Sequence, residues 1–540
     1  MGVNIGRGTA RRAPTRGEKM DYKGRIIGKS ITEIYFRTFY EEELHLGDIL
    51  VALDEERNLP FYLRIVDVSY GVEATDPDWA SRTAGNMMLL DRQNESYQFQ
   101  EKERRLFKIG KCVPLGCVKN NQFKKPRTIP EHFSRVRTPN NEDFLFLKKY
   151  MGDVEVGSLR SGEDILDFKI GISGELFPYH IGIFATTGMG KSNLMKVLAS
   201  SVLESGKYGM LILDPHGEYY DGGGDPKHKG LVDHPLAKER LRVYSSRDLK
   251  GHYNKLKISS KEIEIKDVRH IYGFTQAQVE ALYALAHHFG RDWLEGVKKS
   301  SIQELAMSIS SGGAFFESTI GVVQRRAEQI LRLHFVHGDP QVSITLNVIN
   351  DLSLGKVVLI DTSNMSEQEE LLISAVLARA IFSRNREAYQ DPARFKKILP
   401  TLIVMEEAQR VLSQKGEADI NIFAQVSREG RKFKTGLCAI TQQPKLIDEE
   451  LLSQFNTLFI LGLADERDRN ILKSSAKQDI SDLGTEIQML EAGEALVTSP
   501  QAPFAIPAKV YLFEEWLKER KDLLKDKNSV DVKVDEGFFK

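Results

Sequence analysis

The amino-acid sequence predicts an α/β domain that follows a small all-β barrel and is interrupted by a helical insertion. Three observations in the 540 residues support this prediction. Residues 21–120 contain short apolar runs separated by turns, which is typical of an all-β barrel. From residue 147 onward, short buried strands alternate with helices, as in a parallel sheet. Within that domain, the apolar residues of 260–340 follow helical spacing instead.

The chain begins with a stretch that has little capacity to form a core. Residues 1–20 are rich in Arg, Gly and Thr, so we expect a disordered tail. In the barrel that follows, the clearest strand pair is 47–53 and 61–68, joined by a turn. Residues 121–146 are basic and contain proline, which predicts a linker into the α/β domain.

The clearest motif of the α/β domain is I-G-I-F-A-T-T-G-M-G-K-S-N-L at residues 181–194. Its apolar start predicts a buried strand, its glycines let the backbone approach a phosphate, and the helix that follows offers N–H groups to an anion. Lys191 supplies a positive charge for the β- and γ-phosphates, and Ser192 supplies a hydroxyl for Mg²⁺. The strict P-loop pattern begins with glycine where this chain has Ala185, but the flanking strand and helix fit a P-loop. The predicted nucleotide-binding residues are Thr187, Gly188, Met189, Gly190, Lys191, Ser192 and Asn193.

The next predicted strand, residues 208–213, ends in the polar stretch D-P-H-G-E-Y. Parallel sheets place functional groups at such strand ends, although His216 could equally belong to a simple turn. A further strand is predicted at 241–244, and the sheet resumes at 355–361 after the helical insertion. Packing is the default explanation for the insertion itself.

Two adjacent acids follow the apolar strand at residues 401–405. A P-loop NTPase needs one acid near Mg²⁺ and a second that activates the attacking water. We therefore predict that Glu406 helps Ser192 to hold Mg²⁺ and that Glu407 is the catalytic base. The alternative is a pair of solvated turn residues.

A second polar strand end lies downstream, where residues 436–441 are followed by Gln442. A side chain at this position can sense the γ-phosphate and orient the water; Thr441 or Gln442 would serve, and we favour Gln442. The basic stretch 427–434 lies between the two strands. It is either a solvated face or the source of an arginine finger, which stabilises transition-state charge.

Five stretches together resemble the HerA–FtsK superfamily of ring ATPases, and HerA-type ATPases in particular. In order, they are A-T-T-G-M-G-K-S-N, L-D-P-H-G-E-Y, L-I-V-M-E-E-A, S-R-E-G-R-K-F and I-T-Q-Q-P. The resemblance covers about residues 181–497. It implies a RecA-like (ASCE) P-loop NTPase domain at 147–512 and a HAS-like barrel at 21–120. Residues 513–540 are expected to form a charged C-terminal helix and a tail.

The resemblance also implies an activity and partners. HerA-type proteins are hexameric translocases or helicases that use ATP and Mg²⁺ to act on double-stranded DNA. Some work with a NurA-like nuclease in DNA end processing, and others with sirtuin-type or nuclease effectors in anti-phage defence. By position, the resemblance supports the roles given above for Lys191, Ser192, Glu406 and Glu407, and it makes Arg431 the first choice for an arginine finger and Arg428 the second.

A function of a different class stays open from the sequence. Nucleotide occupancy could assemble a ring scaffold that activates a partner effector without processive translocation. A secretion or conjugation ATPase fits less well, because no apolar run approaches the ~18 residues of a membrane span.

Composition bounds these alternatives. The net charge of −1 does not indicate a nucleic-acid coat, although it permits a local basic ring around a pore. The three cysteines, Cys112, Cys117 and Cys438, are expected to be buried thiols, which suits the reducing cytoplasm. We therefore expect a cytoplasmic protein without a membrane anchor.

Overall fold

The structure is a computed structural model of the chain that describes residues 22–72, 78–93, 105–120, 122–223, 227–309, 316–413 and 421–522. The chain divides into two compact units, Met1–Phe146 and Leu147–Lys540. The tail expected at residues 1–20 and the tail expected near the C-terminus lie outside the described residues.

The first unit contains a closed β-barrel. Its strands are β1 (Gly24–Lys29), β2 (Ile34–Phe39), β3 (Ile49–Asp54), β4 (Leu59–Val72), β5 (Leu106–Lys119), β6 (Gln122–Lys124) and β7 (Arg135–Arg137). Within the described residues, six of these pair in the order β2-β1-β7-β3-β4-β5, and β5 pairs back onto β2 to close the barrel. Helix α1 (Trp79–Arg92) falls between β4 and β5. Side chains that alternate inward, including Ile26, Phe36, Leu63 and Cys112, form the core. The predicted barrel is confirmed.

The stretch predicted to be a linker includes part of the barrel, and the prediction for residues 121–146 needs this correction. β7 pairs with both β1 and β3, so the barrel could not close without it. Val136 is its inward residue and is fully buried between the more exposed Arg135 and Arg137. Three residues with one apolar side chain give too short a pattern to predict a strand from sequence.

The second unit is built on a large, mostly parallel sheet. Its strands are β8 (Val154–Ser161), β9 (Asp164–Ile172), β10 (Ile181–Phe184), β11 (Gly209–Asp214), β12 (Leu241–Ser245), β13 (Asn254–Lys255), β14 (Ile258–Ser259), β15 (Val336–His337), β16 (Val357–Asp361), β17 (Thr401–Met405), β18 (Thr435–Thr441), β19 (Thr457–Ile460), β20 (Glu494–Thr498) and β21 (Ile506–Val510). Twelve of the strands in the described part of the chain form one sheet, in the order β13-β12-β16-β11-β17-β18-β10-β19-β20-β21-β8-β9. The strands from β13 to β19 in this order are parallel, and the last four are antiparallel.

Helices cover this sheet and build the insertion. They are α2 (Lys191–Ser205), α3 (Ala237–Arg240), α4 (Ile265–Arg269), α5 (Gln276–Phe289), α6 (Trp293–Lys299), α7 (Ile302–Ile309), α8 (Glu317–Leu331), α9 (Thr345–Ser353), α10 (Glu367–Ala388), α11 (Pro392–Lys396), α12 (Gln409–Leu412), α13 (Ile422–Glu429), α14 (Glu449–Leu452), α15 (Glu466–Ser475) and α16 (Gly484–Met489). Residues 513–522 are also helical. Among all helices of the described ranges, none has the length and apolar character that crossing a bilayer requires.

The predicted helical insertion is present. Helices α4 to α8 lie between β14 and β15, which pair with each other in parallel. The apolar faces of the helices form a local core that includes Leu282, Leu285, Val297 and Ile330, all of them buried. Packing therefore accounts for the apolar spacing that predicted these helices.

Strand order determines where the functional loops lie. β18 is inserted between the P-loop strand β10 and the strand β17, which precedes the two acids. This is the RecA-like (ASCE) order, and the predicted fold class is confirmed. Because parallel strands present their C-terminal ends at one edge of the sheet, the loops after β10, β11, β17 and β18 meet at that edge. We call it the catalytic edge.

Candidate active site

The loop between β10 and α2 has the backbone that a P-loop requires. Gly188 and Gly190 have φ values of 82° and 98°, a left-handed conformation that glycine adopts without steric cost. Lys191 opens α2, and its Nζ donates to the carbonyl oxygens of Ala185 at 3.2 Å and Thr186 at 3.4 Å. The loop thus curls around the lysine amine at a helix start, where unpaired N–H groups attract anions.

Acidic side chains lie close to this lysine. Burial lowers the pKa of Lys191, and the nearby charges of Glu406, Glu407 and Glu218 oppose that effect. The two predicted acids are therefore brought to the P-loop, as the sequence pattern required. Glu218, from the loop after β11, had no predicted role.

Glu406 is almost completely buried at the end of β17. Burial raises its pKa to about 7, against a hydrogen bond from the Tyr219 hydroxyl to Oε1 and the charges of His216 and Lys191. A cation beside it would stabilise the ionised carboxylate that burial disfavours. The Glu406 carboxylate and the Ser192 hydroxyl are hard oxygen donors, so this pair fits Mg²⁺ that binds with a nucleotide.

The loop after β11 is folded to deliver Tyr219. Asp214, fully buried, accepts hydrogen bonds from the backbone N–H groups of Gly217 at 2.7 Å, Glu218 at 3.3 Å and Tyr219 at 3.0 Å. Burial nevertheless raises the pKa of Asp214 to about 6. The motif D-P-H-G-E-Y signalled a functional loop, but the sequence did not indicate that Tyr219 would contact Glu406. His216 is exposed at this edge.

Glu407 belongs to a hydrogen-bonded chain that reaches the P-loop. Its Oε2 accepts from Gln409 Nε2 at 2.6 Å, and Gln409 Oε1 accepts from the Thr441 hydroxyl at 2.6 Å. The next residue, Gln442, accepts from the Thr187 hydroxyl at 2.5 Å. The predicted base, the predicted γ-phosphate sensor and the P-loop are thus brought together. Gln409 was not among the predicted residues; only its place two residues after the acid pair signalled it.

The side chain of Asn193 points elsewhere. Its Nδ2 donates to the carbonyl of Tyr511 at 2.8 Å, and its Oδ1 accepts from the backbone N–H of Phe513 at 2.9 Å. Both ends of the amide are therefore used to attach the C-terminal segment to the P-loop helix. This leaves the backbone N–H of Asn193 as the group available to a nucleotide. Met189, another predicted binding residue, accepts at its carbonyl from Gly493 N–H at 3.2 Å.

The two candidate finger arginines lie at the opposite edge of the sheet. The Arg431 guanidinium is 4.3 Å from the ring centroid of Tyr179, which lies two residues before β10 begins. Arg428 Nε lies 3.2 Å from Glu450 Oε1. Because β10 spans four residues, at ~3.3 Å each, a full strand length separates Tyr179 from the P-loop. The structure does not bring Arg431 to the P-loop of its own chain.

His180 connects this opposite edge to the sheet. It is buried, and its Nδ1 accepts from the backbone N–H of Leu437 in β18 at 3.0 Å. Burial lowers the pKa of His180 from 6.5 to about 4, against a backbone hydrogen bond with Ser427. The neutral imidazole therefore ties the start of β10 to β18 and to the segment that carries Arg428 and Arg431.

We expect His180 to lower the free energy of unfolding of the protein in mild acid. The unfolded histidine takes up a proton near pH 6.5, whereas the folded one stays neutral to about pH 4. Its stabilising contribution is thus complete above pH 6.5 and is lost as the pH falls toward 4, by about 3 kcal/mol at most. The measurement is urea unfolding at several pH values, for the chain and for His180→Asn.

The comparison between the two proteins isolates the histidine, since Asp214 and Glu406 titrate in both. Residue 180 has a φ of 64° and a ψ of 146° in a residue that carries a side chain, so the backbone cost is present in both proteins. The difference in unfolding free energy between the chain and His180→Asn should shrink from pH 7 to pH 4.5. A constant difference across this range would show that the buried imidazole is not the source.

The fold and the catalytic edge define the class. A P-loop at the end of a central strand, two acids on the strand beyond its neighbour, and a polar residue on the strand between them are the parts of a P-loop ATPase. The chain is an ATP hydrolase of the RecA-like type.

Comparisons with known proteins show what the chain is similar to. Residues 154–381 match the family described as "Helicase HerA, central domain". The DNA double-strand break repair helicase HerA of Sulfolobus acidocaldarius is 26% identical over 442 residues, covering 79% of this chain and 84% of that protein. The HerA of Saccharolobus solfataricus is 26% identical over 485 residues, covering 84% of this chain and 89% of that protein. The matches confirm the predicted resemblance to HerA-type ATPases.

A solved structure overlaps more loosely. VirB4 of Thermoanaerobacter pseudethanolicus is 14% identical, covers 67% of this chain and 96% of that chain, and has a TM-score of 0.44. At this score the overlap supports no inference about function.

Proposed function

We propose that this chain is an ATP-driven translocase or helicase that acts on double-stranded DNA as a ring of six copies. The observation that carries the ring is the position of Arg431. It lies a full strand length from its own P-loop, so as an arginine finger it would have to act on the P-loop of a neighbouring copy. The DNA substrate is supported by the relatives, which are named DNA double-strand break repair helicases.

In this proposal, each side chain at the catalytic edge has one role. The loop N–H groups from Thr187 to Ser192, with the Lys191 amine, hold the β- and γ-phosphates of ATP. Ser192 and Glu406 hold Mg²⁺, which neutralises phosphate charge when it is bound. Glu407 accepts the proton of the attacking water, and Gln442 orients that water against the γ-phosphate.

The cation that completes the site comes from a neighbour. Arg431 of the next subunit stabilises the charge that builds up on the transferred phosphoryl group, with Arg428 as the second candidate. Hydrolysis then depends on ring assembly, and each subunit reports its nucleotide state to the next.

DNA contact in this proposal is mainly to phosphates, so it is nearly independent of sequence and sensitive to salt. The partner effector is a NurA-like nuclease in DNA end processing, or a sirtuin-type or other effector in anti-phage defence, and the complex is cytoplasmic. We assign the ATPase domain to residues 147–512 and the barrel to 21–137, which extends the earlier boundary to include β7.

The test is the response of the purified chain to DNA. We expect duplex DNA to stimulate ATP turnover, and ATP to drive displacement of a third strand bound to the duplex. Raising the salt concentration from 50 to 200 mM should raise the DNA concentration needed for half-maximal stimulation by ~10³-fold or more if six or more phosphates are contacted. Lys191→Ala is the matched control, since it should bind DNA without displacing the third strand.

The ring-scaffold alternative gives a different result in the same assay. In that case duplex DNA would not change ATP turnover, ATP would not displace the third strand, and nucleotide would activate a co-purified effector. This combination of results would contradict the motor proposal and favour the scaffold. A single subunit found by analytical ultracentrifugation with ATP and DNA present would contradict the ring in both forms.

A further inference from the structure

The backbone at Glu407 is in a conformation that needs support. Its φ is 49°, a left-handed value that costs a residue with a side chain about 1 kcal/mol or more. Backbone bonds supply part of the support: Ala408 N–H donates to Ile440 in β18 at 3.1 Å, and Arg410 N–H donates to Glu407 itself at 3.0 Å. These bonds fix the main chain. They leave the direction of the carboxylate to be set by something else.

The Gln409 side chain sets that direction. Its Nε2 donates to Glu407 Oε2, and its Oε1 accepts from the Thr441 hydroxyl, each at 2.6 Å. The backbone N–H of Gln443 donates to Thr441 Oγ1 at 3.0 Å, so the hydroxyl proton is free to point at Gln409. With that proton on Oε1, the amide must turn its NH₂ group toward Glu407. The three bonds are consistent with only one orientation of the amide.

The same set of contacts ends at the P-loop. Thr441 is the last residue of β18, and Gln442 beside it accepts from Thr187 of the P-loop at 2.5 Å. Movement of the β18 end when a γ-phosphate binds would move Thr441, and through Gln409 it would turn the Glu407 carboxylate. No charged residue could replace the amide, because a carboxylate cannot donate to Glu407 and an ammonium cannot accept from Thr441.

We infer that Gln409 is a positioning residue. It orients the Glu407 carboxylate toward the attacking water, and it couples that orientation to the end of β18, where the γ-phosphate sensor lies. The inference rests on the proposed role of Glu407 as base. Gln409 touches neither the nucleotide nor the water in this account. It acts through Glu407 alone.

The test separates turnover from binding. Gln409→Ala and Gln409→Glu should each lower kcat by ~10²-fold, the cost expected when a reacting group is displaced by about 1 Å, while KM for ATP stays within about twofold. Thr441→Val, which removes the hydroxyl without changing shape, should show the same loss of kcat. Thr441→Ser keeps the hydroxyl and should restore most of it.

A merely structural role is excluded by a double mutant. Adding Gln409→Ala to Glu407→Gln should cost little further turnover, since the residue through which Gln409 acts is already disabled. An equal loss in both backgrounds, or a raised KM with unchanged kcat, would overturn the inference. If Glu407→Gln were itself fully active, the proposed base would be wrong; if only Gln409→Ala were fully active, the inference alone would fail.

Discussion

Replacing Glu407 with Gln should leave ATP binding intact and slow hydrolysis by ~10²–10⁴-fold, the range expected for loss of a general base. The substitution removes the proton acceptor and keeps the size and hydrogen-bonding reach of the side chain. Bound ATP should therefore persist, and the protein should be trapped in its ATP state. The measurement is single-turnover hydrolysis alongside titration with a fluorescent ATP analogue.

Two further variants should behave differently from Glu407→Gln. Lys191→Ala should lose both hydrolysis and tight nucleotide binding, because its charge serves the bound phosphates before any reaction occurs. Glu406→Gln should instead raise the Mg²⁺ concentration needed for half-maximal turnover. Wild-type turnover by Glu407→Gln would remove it from the mechanism and leave Glu406, the other acid near Lys191, as the candidate base.

Some residues of this site could be predicted from the sequence and others could not. The P-loop, the acid pair and Gln442 were predictable because each is a short motif next to a buried strand, and the strand ends share one edge by geometry. Tyr219 was not predictable, because its partner Glu406 follows a different strand. Gln409 was signalled only by its place after the acid pair, because its second partner, Thr441, lies on a different strand. Strand order determines which loops are in contact, and no local sequence pattern specifies strand order.

Local patterns gave an incomplete description in two places. Asn193 follows Lys191 and Ser192 in the motif, yet its side chain holds residues 511 and 513. A helix turns by 100° per residue, so neighbours in a motif face different directions. The strand around Val136 was hidden because two arginines flank its single core residue.

The position of Arg431 could have been inferred with one further step. It lies between two parallel strands, β17 and β18, just before the second begins. A connection between parallel strands must return to the edge where strands start, which is opposite the edge that binds ligand. The basic segment was therefore bound to lie away from its own P-loop.

Arg431→Ala should bind ATP and form the ring, but hydrolyse ~10³-fold or more slowly, as expected for loss of an arginine finger. In the proposed site the ground-state contacts of the nucleotide are all made at the catalytic edge, so binding should survive. Turnover, nucleotide affinity and sedimentation of the ring are the three measurements. Lys432→Ala, which removes the neighbouring charge in the same 3₁₀ turn (Gly430–Phe433), is the matched control and should keep its activity.

Mixing two inactive variants then distinguishes action within a subunit from action between subunits. Arg431→Ala subunits carry an intact Glu407, and Glu407→Gln subunits carry an intact Arg431. If the finger reaches across the interface, some interfaces of a mixed ring pair the intact acid with the intact arginine, and activity should reappear. With random mixing in equal parts, about a quarter of the interfaces would be complete. Recovery should then be roughly a quarter of wild-type turnover if the sites hydrolyse ATP independently.

If the arginine acts within its own chain, no mixture contains a complete site and no activity is recovered. Full activity of Arg431→Ala alone would move the assignment to Arg428, whose contact with Glu450 would then have to break for it to reach a neighbour.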